Sequence, residues 1–423
     1  MTDDGLMDPF VEQLRCEAFH LDAAPTAVER IGVEVELIPV DEETGRAAPI
    51  ESDEVPSTQP VLTALGRRLG WEARVSAKAG VPEFRTPAGG RLTFEPGGQI
   101  EYAAPPNESV SGLVDDARSV VGAMAEAMDA AGIALVSCGI DPLNGVEDVP
   151  LRLTADRYRR MDRHFARIGR HGARMMRQTA SIQICIDAGE RPLERWRQLN
   201  ALAPYLVAVF ANSPVYAGDV TGHQSVRQHV WGCLDPSRTG IAYDADDPVA
   251  GYARFGMHAS AILLGDEDLP CAPFLEHVRA GRAGMAEWRA HLTTLFPEVR
   301  PRGYFEVRST DALEPEWYAA PLAFVAGLVR DPRAASAADE CLRASEPLSL
   351  ARAGRCGLTD ARVAATAGVL ATLAIEGCES LGDSIIASRD LDVLRSFVER
   401  YTSRGRAPAG DQLPLDVRPS VAV

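Results

Sequence analysis

Five glutamates stand in short stretches where apolar and polar residues alternate. Glu34 and Glu36 lie in IGVEVELIP, Glu95 and Glu101 flank Pro-Gly-Gly in RLTFEPGGQIEYA, and Glu306 lies in YFEVR. Side chains alternate along a strand, so Glu34 and Glu36 share one face while Val33, Val35 and Leu37 take the other. The same rule sets Glu306 beside Arg308, and places Ser181, Gln183 and Cys185 of ASIQICID opposite Ile182, Ile184 and Ile186. If these strands belong to one sheet, their carboxylates converge and repel unless cations lie between them. Hard oxygen ligands select magnesium or manganese rather than zinc, and a neighbouring arginine suits the terminal phosphate of a nucleotide. Alternation alone does not join the strands. A solvated strand face explains an isolated Glu-x-Glu equally well, and Pro-Gly-Gly is by itself a good turn.

Composition narrows the chemistry. The 423 residues carry a net charge of -17, which speaks against a nucleic-acid backbone as partner. Lys78 is the single lysine and is followed by Ala79, so neither a P-loop nor a readily formed lysine Schiff base is available. Phosphate would have to be handled by arginine and metal ions. The eight cysteines are scattered and form no CxxC pair, which reads as reduced thiols. An acidic N-terminus and no uninterrupted apolar run of about 20 residues lead to the expectation of a cytoplasmic protein acting on small molecules, away from membranes.

The elements that must position these residues are mixed. Beyond the alternating stretches, residues 61–69 and 110–131 show helical spacing, 136–140 (VSCGI) reads as a buried strand, and 154–178 is Arg-rich with helical periodicity. Residues 199–211 form an apolar helix, 221–240 is loop-like, and 317–397 reads as successive helices. Uneven helices between hairpin-like strands predict an α+β fold with a largely antiparallel sheet. The expected organisation is a loosely packed segment over 1–20, one catalytic domain over 21–403 that is helical from about 317, and a flexible tail over 404–423.

The run FEPGGQIEYA resembles the E-P-G-G-Q-x-E hallmark of glutamate-cysteine ligases of the plant and bacterial type, including the branch that serves ergothioneine synthesis. Further pieces follow in that family's order: GVEVE, RYRRM at 157–161, MMRQTASIQ at 175–183, ANSP at 211–214, SVRQHVW at 225–231 and YFEVR at 304–308. The resemblance implies a curved, glutamine-synthetase-like antiparallel sheet binding ATP and two or three magnesium ions, with manganese as a substitute. By that analogy Glu34, Glu36, Glu95, Glu101, Gln183 and Glu306 face the metals. Arg308 holds the transferring phosphoryl group, Arg227 engages glutamate, and Arg157, Tyr158, Met161 and Trp231 line the site. The implied reaction joins the γ-carboxylate of glutamate to the amine of cysteine through an acyl phosphate.

Three departures from the family pattern bear on the amine. Cys185 replaces the usual Asn, Tyr102-Ala103 replaces Leu-Ser, and Ser-Thr-Asp follows Arg308. A different amine acceptor, a phosphotransferase without ligation, and a catalytically silent sensor stay open as alternatives.

Overall fold

A computed structural model describes residues 3–21, 28–76, 80–242, 246–265 and 270–412. Lys78 and the end of the expected tail, 413–423, lie outside these. The centre is a nine-stranded sheet. In chain order its strands are β1 (Ile31–Asp41), β2 (Glu72–Val75), β3 (Pro82–Arg85), β4 (Arg91–Phe94), β5 (Ile100–Ala103), β6 (Ile133–Val136), β7 (Ser181–Asp187), β8 (Val299–Pro301) and β9 (Tyr304–Asp311). They line up as β8-β9-β7-β1-β5-β4-β3-β2, with β6 on the far half of β1. Every pairing within this sheet is antiparallel, as the alternating stretches predict.

One face of the sheet makes the core. Val33, Val35, Leu37, Ile100, Tyr102, Ile182, Ile184, Ile186, Phe305 and Val307 are all buried there. Across from them lie α1 (Val110–Asp129), with Leu113, Ala117, Val121 and Met124 buried, and the apolar helix α4 (Pro192–Val209). Each such large side chain contributes about 1.5–3 kcal/mol when removed from water. The Arg-rich stretch divides into α2 (Asp156–Ile168) and α3 (His171–Gln178), broken at Gly169. The predicted buried strand 136–140 forms earlier, as β6, which leaves Ile140 in an isolated bridge to Thr179.

The segment 221–240, read as loop, contains a seven-residue helix α5 (Val226–Gly232). Ser225 starts it, its hydroxyl accepting from the Gln228 amide at 3.1 Å. The C-terminal region is helical as expected, through α6 (Ala319–Arg330), α7 (Pro332–Ala344), α8 (Ala361–Leu381) and α9 (Ser388–Arg400). Helices α6 and α8 approach closely at Gly327 and Gly377, where a Cβ on Gly377 would sit 2.1 Å from the Gly327 carbonyl.

Two expectations are corrected. Residues 3–13 form a helix that continues into a π turn at Leu14–Ala18, and it is anchored: Met7, Phe10, Leu14 and Phe19 are buried, with Phe10 edge-on to Trp288 at 5.3 Å. The tail folds back as far as Gln412. Ala407 and Ala409 are buried with Ala211, and the Gln412 amide donates to Asn212 Oδ1 at 2.7 Å. Helix α8 is long and apolar enough by length and composition to cross a membrane, although Arg362, Glu376 and Glu379 interrupt its apolar run; here Val363, Ala367, Leu370, Ala371, Ala374 and Cys378 on it are buried in the core shared with α6.

Candidate active site

Antiparallel pairing sets the polar stripes in rows across the sheet. Thr93, Glu101 and Glu36 form one row, Arg91, Ala103, Glu34 and Gln183 the next, and Gly32, Cys185, Glu306 and Arg300 a third. The four acidic or amide stretches therefore do share one face. That face floors a cavity of about 460 Å³ lined by Glu34, Glu36, Glu95, Glu101, Arg157, Tyr158, Met161, Gln183, Arg227, Trp231 and Arg308. Glu306 is fully buried beside it and is absent from the lining.

The hairpin between β4 and β5 brings Glu95 to the rim. The Glu95 amide donates to the Gln99 carbonyl and the Gly98 amide to the Glu95 carbonyl, each at 2.8 Å. Gly98 takes a φ of +98°, open to glycine. Gly97 lies against α3 so closely that a Cβ would stand 1.9 Å from the Arg177 carbonyl. These glycines let the turn pass under α3 and aim Glu95 at the other acids.

The carboxylates form an acidic end. Glu34, Glu36 and Glu95 keep part of their surface open to the cavity while Glu101 is buried. Burial pushes Glu34 up to about 8, and the charges of Glu101 and Glu306 add to the shift. Glu95 is held well above the usual carboxylate range by burial and then by Glu101, Glu36 and Glu34. Burial also raises Glu101, aided by Glu36, and raises Glu36 against the pull of Arg227 and Arg308. Glu36 is fixed by Ser181 Oγ and Gln183 Nε2, both donating at 2.9 Å, and Glu101 by Thr93 Oγ1 at 3.0 Å.

The opposite end is basic. Glu306 accepts from Arg300 at 2.6 Å, Arg308 at 2.5 Å and Arg302 at 2.9 Å. Burial alone would raise its pKa, but Arg300, Arg308 and Arg302 hold it well below the usual range. Arg308 also donates to Gln183 Oε1 at 2.6 Å, so Gln183 bridges the acidic and basic ends. From α5, Arg227 donates to the Arg308 carbonyl at 2.7 Å, and Trp231 lies under both guanidinium groups, 5.9 Å from that of Arg227 and 5.7 Å from that of Arg308. Asp311, 3.9 Å from Arg227, gathers the Ser213 and Ser225 hydroxyls and the Asn212 amide. This explains the Ser-Thr-Asp run: Asp311 locks the start of α5 onto β9. Three residues that line the cavity also carry buried donors without a partner, Arg157 Nε, Trp231 Nε1 and Arg300 Nε.

Arg300, Arg302 and Thr93 are site residues that the motifs did not single out. Alternation, which set Ser181 beside Gln183, could have placed Thr93 on the acidic face too; Arg300 and Arg302 depend on the turn into β9 and had no such signal. Two residues of the departures can be placed. Tyr102 points to the far face, donating to Asp116 at 2.5 Å. The Cys185 thiol is pushed well above its ordinary value by burial and by Glu34 and Glu306, and stays protonated.

Comparison with known proteins shows what the chain resembles. The profile of glutamate-cysteine ligase family 2 (GCS2) matches residues 30–413. The glutamate-cysteine ligase EgtA of Mycolicibacterium smegmatis is 34% identical over 363 residues, 82% of each chain, and the chloroplastic glutamate-cysteine ligase of Arabidopsis thaliana is 29% identical over 71% of this chain and 59% of its own. A solved glutamate-cysteine ligase of Francisella tularensis in complex with AMP aligns at a TM-score of 0.47 and 12% identity over 92% of this chain and 93% of that one. With its profile match running from β1 through α9, the chain belongs to glutamate-cysteine ligase family 2, a family of ligases.

Proposed function

We propose that this protein uses ATP to join the γ-carboxylate of glutamate to the amine of cysteine, through a γ-glutamyl phosphate, releasing ADP and phosphate. The observation that carries the reading is the two-ended cavity: four converging glutamates at one end and a buried arginine cluster at the other, on one face of one sheet. Its volume suits small substrates, and the names of the mycobacterial and plant relatives point to the same activity.

The acidic end fits magnesium. All its donors are hard oxygens, and burial with mutual repulsion leaves them short of positive charge. Glu34, Glu36, Glu95 and Glu101 would hold two or three magnesium ions, or manganese, with Gln183 beside them. Bound there, the metal neutralises the triphosphate and so favours attack at its terminal phosphorus. Glu306 takes a different part from the one implied by the family pattern. With its oxygens engaged by three arginines, it is the anchor that aims Arg308 and Arg300 at the phosphoryl group.

Arg308 then stabilises charge on the transferring phosphoryl group, and Arg227 and Arg157 hold carboxylates of the amino-acid substrates. The γ-carboxylate oxygen attacks the terminal phosphorus and ADP leaves. The cysteine amine next attacks the acyl carbon and phosphate leaves with the oxygen it received. Positioning and fixed charge lower the barrier without an enzyme nucleophile.

Incubating the protein with glutamate, MgATP and cysteine should yield γ-glutamylcysteine, ADP and phosphate in equal amounts by mass spectrometry. ADP with no amide from cysteine or any other amine would show a phosphotransferase instead, and absence of ATP turnover would show a binding protein.

A further inference from the structure

Outside the acidic cavity, three metal-binding side chains from two helices meet. His171 opens α3, His229 lies within α5, and Cys233 follows one helical turn later; a ligand atom from each lies within 4.8 Å of the others. Cys233 Sγ is 3.9 Å from both ring nitrogens of His229. Zinc takes nitrogen at about 2.0–2.1 Å and sulfur at about 2.3 Å in a tetrahedron, which sets such atoms about 3.6 Å apart. Small side-chain rotations therefore suffice to close the set.

The histidines carry a second sign. His171 Nδ1 is buried with no hydrogen-bond partner, and its ring meets His229 edge-on at 5.5 Å. On the other side of His229 stands His223, 4.5 Å away, and its Nδ1 is also buried without a partner. Buried imidazole nitrogens left unsatisfied call for a ligand. A separate cavity of about 480 Å³, lined by His223, His229 and Cys233, gives an ion a way in.

We propose that His171, His229 and Cys233 bind one zinc-class divalent cation, with water as the fourth ligand. Nitrogen and thiolate donors select such an ion over magnesium, so the site is chemically separate from the glutamate cluster. On binding, the Cys233 thiol gives its proton to solvent and its sulfur forms the metal bond. Helix α5 also carries Arg227 and Trp231, and α3 carries Met175 and Met176, all lining the main cavity. The bound ion ties together two walls of that cavity.

The test uses the full chain in excess magnesium, so that hard-oxygen sites are filled, titrated with cobalt(II). A thiolate-to-cobalt charge-transfer band saturating at one equivalent is expected. Cys233→Ser, at an exposed position, should abolish the band, and His229→Gln should weaken cobalt affinity by more than the about 10–100-fold that a mere supporting residue costs. Cys16→Ser, also exposed, should change neither. Zinc should displace cobalt and raise the unfolding midpoint of the wild type but not of Cys233→Ser. No band in the wild type, or a band that survives Cys233→Ser, overturns the proposal; both readings stand even if His229→Gln fails to fold.

Discussion

Glu36 and Glu306 are both sheet-face glutamates, yet burial raises the one while three arginines lower the other, and the proposed function gives them opposite parts. Burial opposes the charge on Glu36 by more than Arg227 and Arg308 support it, so Glu36→Gln should relieve that cost. It is expected to leave the metal-free unfolding midpoint unchanged or raised while lowering ADP formation by about 10²–10³-fold, the scale for loss of one preorganised charge. Glu306→Gln does the reverse to stability. It strips the countercharge from Arg300, Arg302 and Arg308, a breakage that costs about 3–5 kcal/mol in a buried site, so its urea midpoint should fall sharply. Equal midpoints for the two variants in urea titrations would refute the division. The sequence made both residues visible as members of acidic stripes, because strand alternation is a local rule. The proposed difference was hidden, because two of the three arginines on Glu306 come from β8 and the turn before β9, and only the folded sheet brings Arg300 opposite it.

At the scale of elements, the Pro-Gly-Gly hairpin is defined as much by α3 as by its own turn. Gly97→Ala places a methyl group into the Arg177 carbonyl, and the turn and helix must separate. A loss above about 3 kcal/mol is expected by chemical denaturation, within the range of severe packing and backbone lesions; a loss below about 1 kcal/mol would show that the contact is loose. The hairpin and its acids were legible from the motif, whereas the reason for Gly97 was not, since Arg177 is 80 residues away in sequence. Helix α5 was missed because seven residues show little periodicity, and its stability comes from the Ser225 cap and from Asp311 on β9. The tail was misread because short alanine contacts leave no pattern. Truncation after Gly405 removes Ala407, Ala409 and the Asp411 carboxylate that accepts from Tyr401 at 2.9 Å, and should lower the thermal midpoint; an unchanged midpoint would show that the contact adds nothing.

For the molecule as a whole, the antiparallel sheet and helical C-terminal region follow from periodicities readable in the chain, and the family pattern added their convergence on one cavity. Cation binding should be visible in global stability. Magnesium at 100 times its dissociation constant adds about 2.7 kcal/mol to a protein that binds it only when folded, so the wild-type midpoint should rise with magnesium and that of Glu36→Gln should rise much less. The central claim is that this face activates a carboxylate by phosphorylation. Glutamate carrying isotopically heavy oxygen in its γ-carboxylate, turned over with MgATP and cysteine, tests it most directly: the account predicts one heavy oxygen in the released phosphate for each amide formed, and phosphate free of heavy oxygen alongside amide product would contradict it.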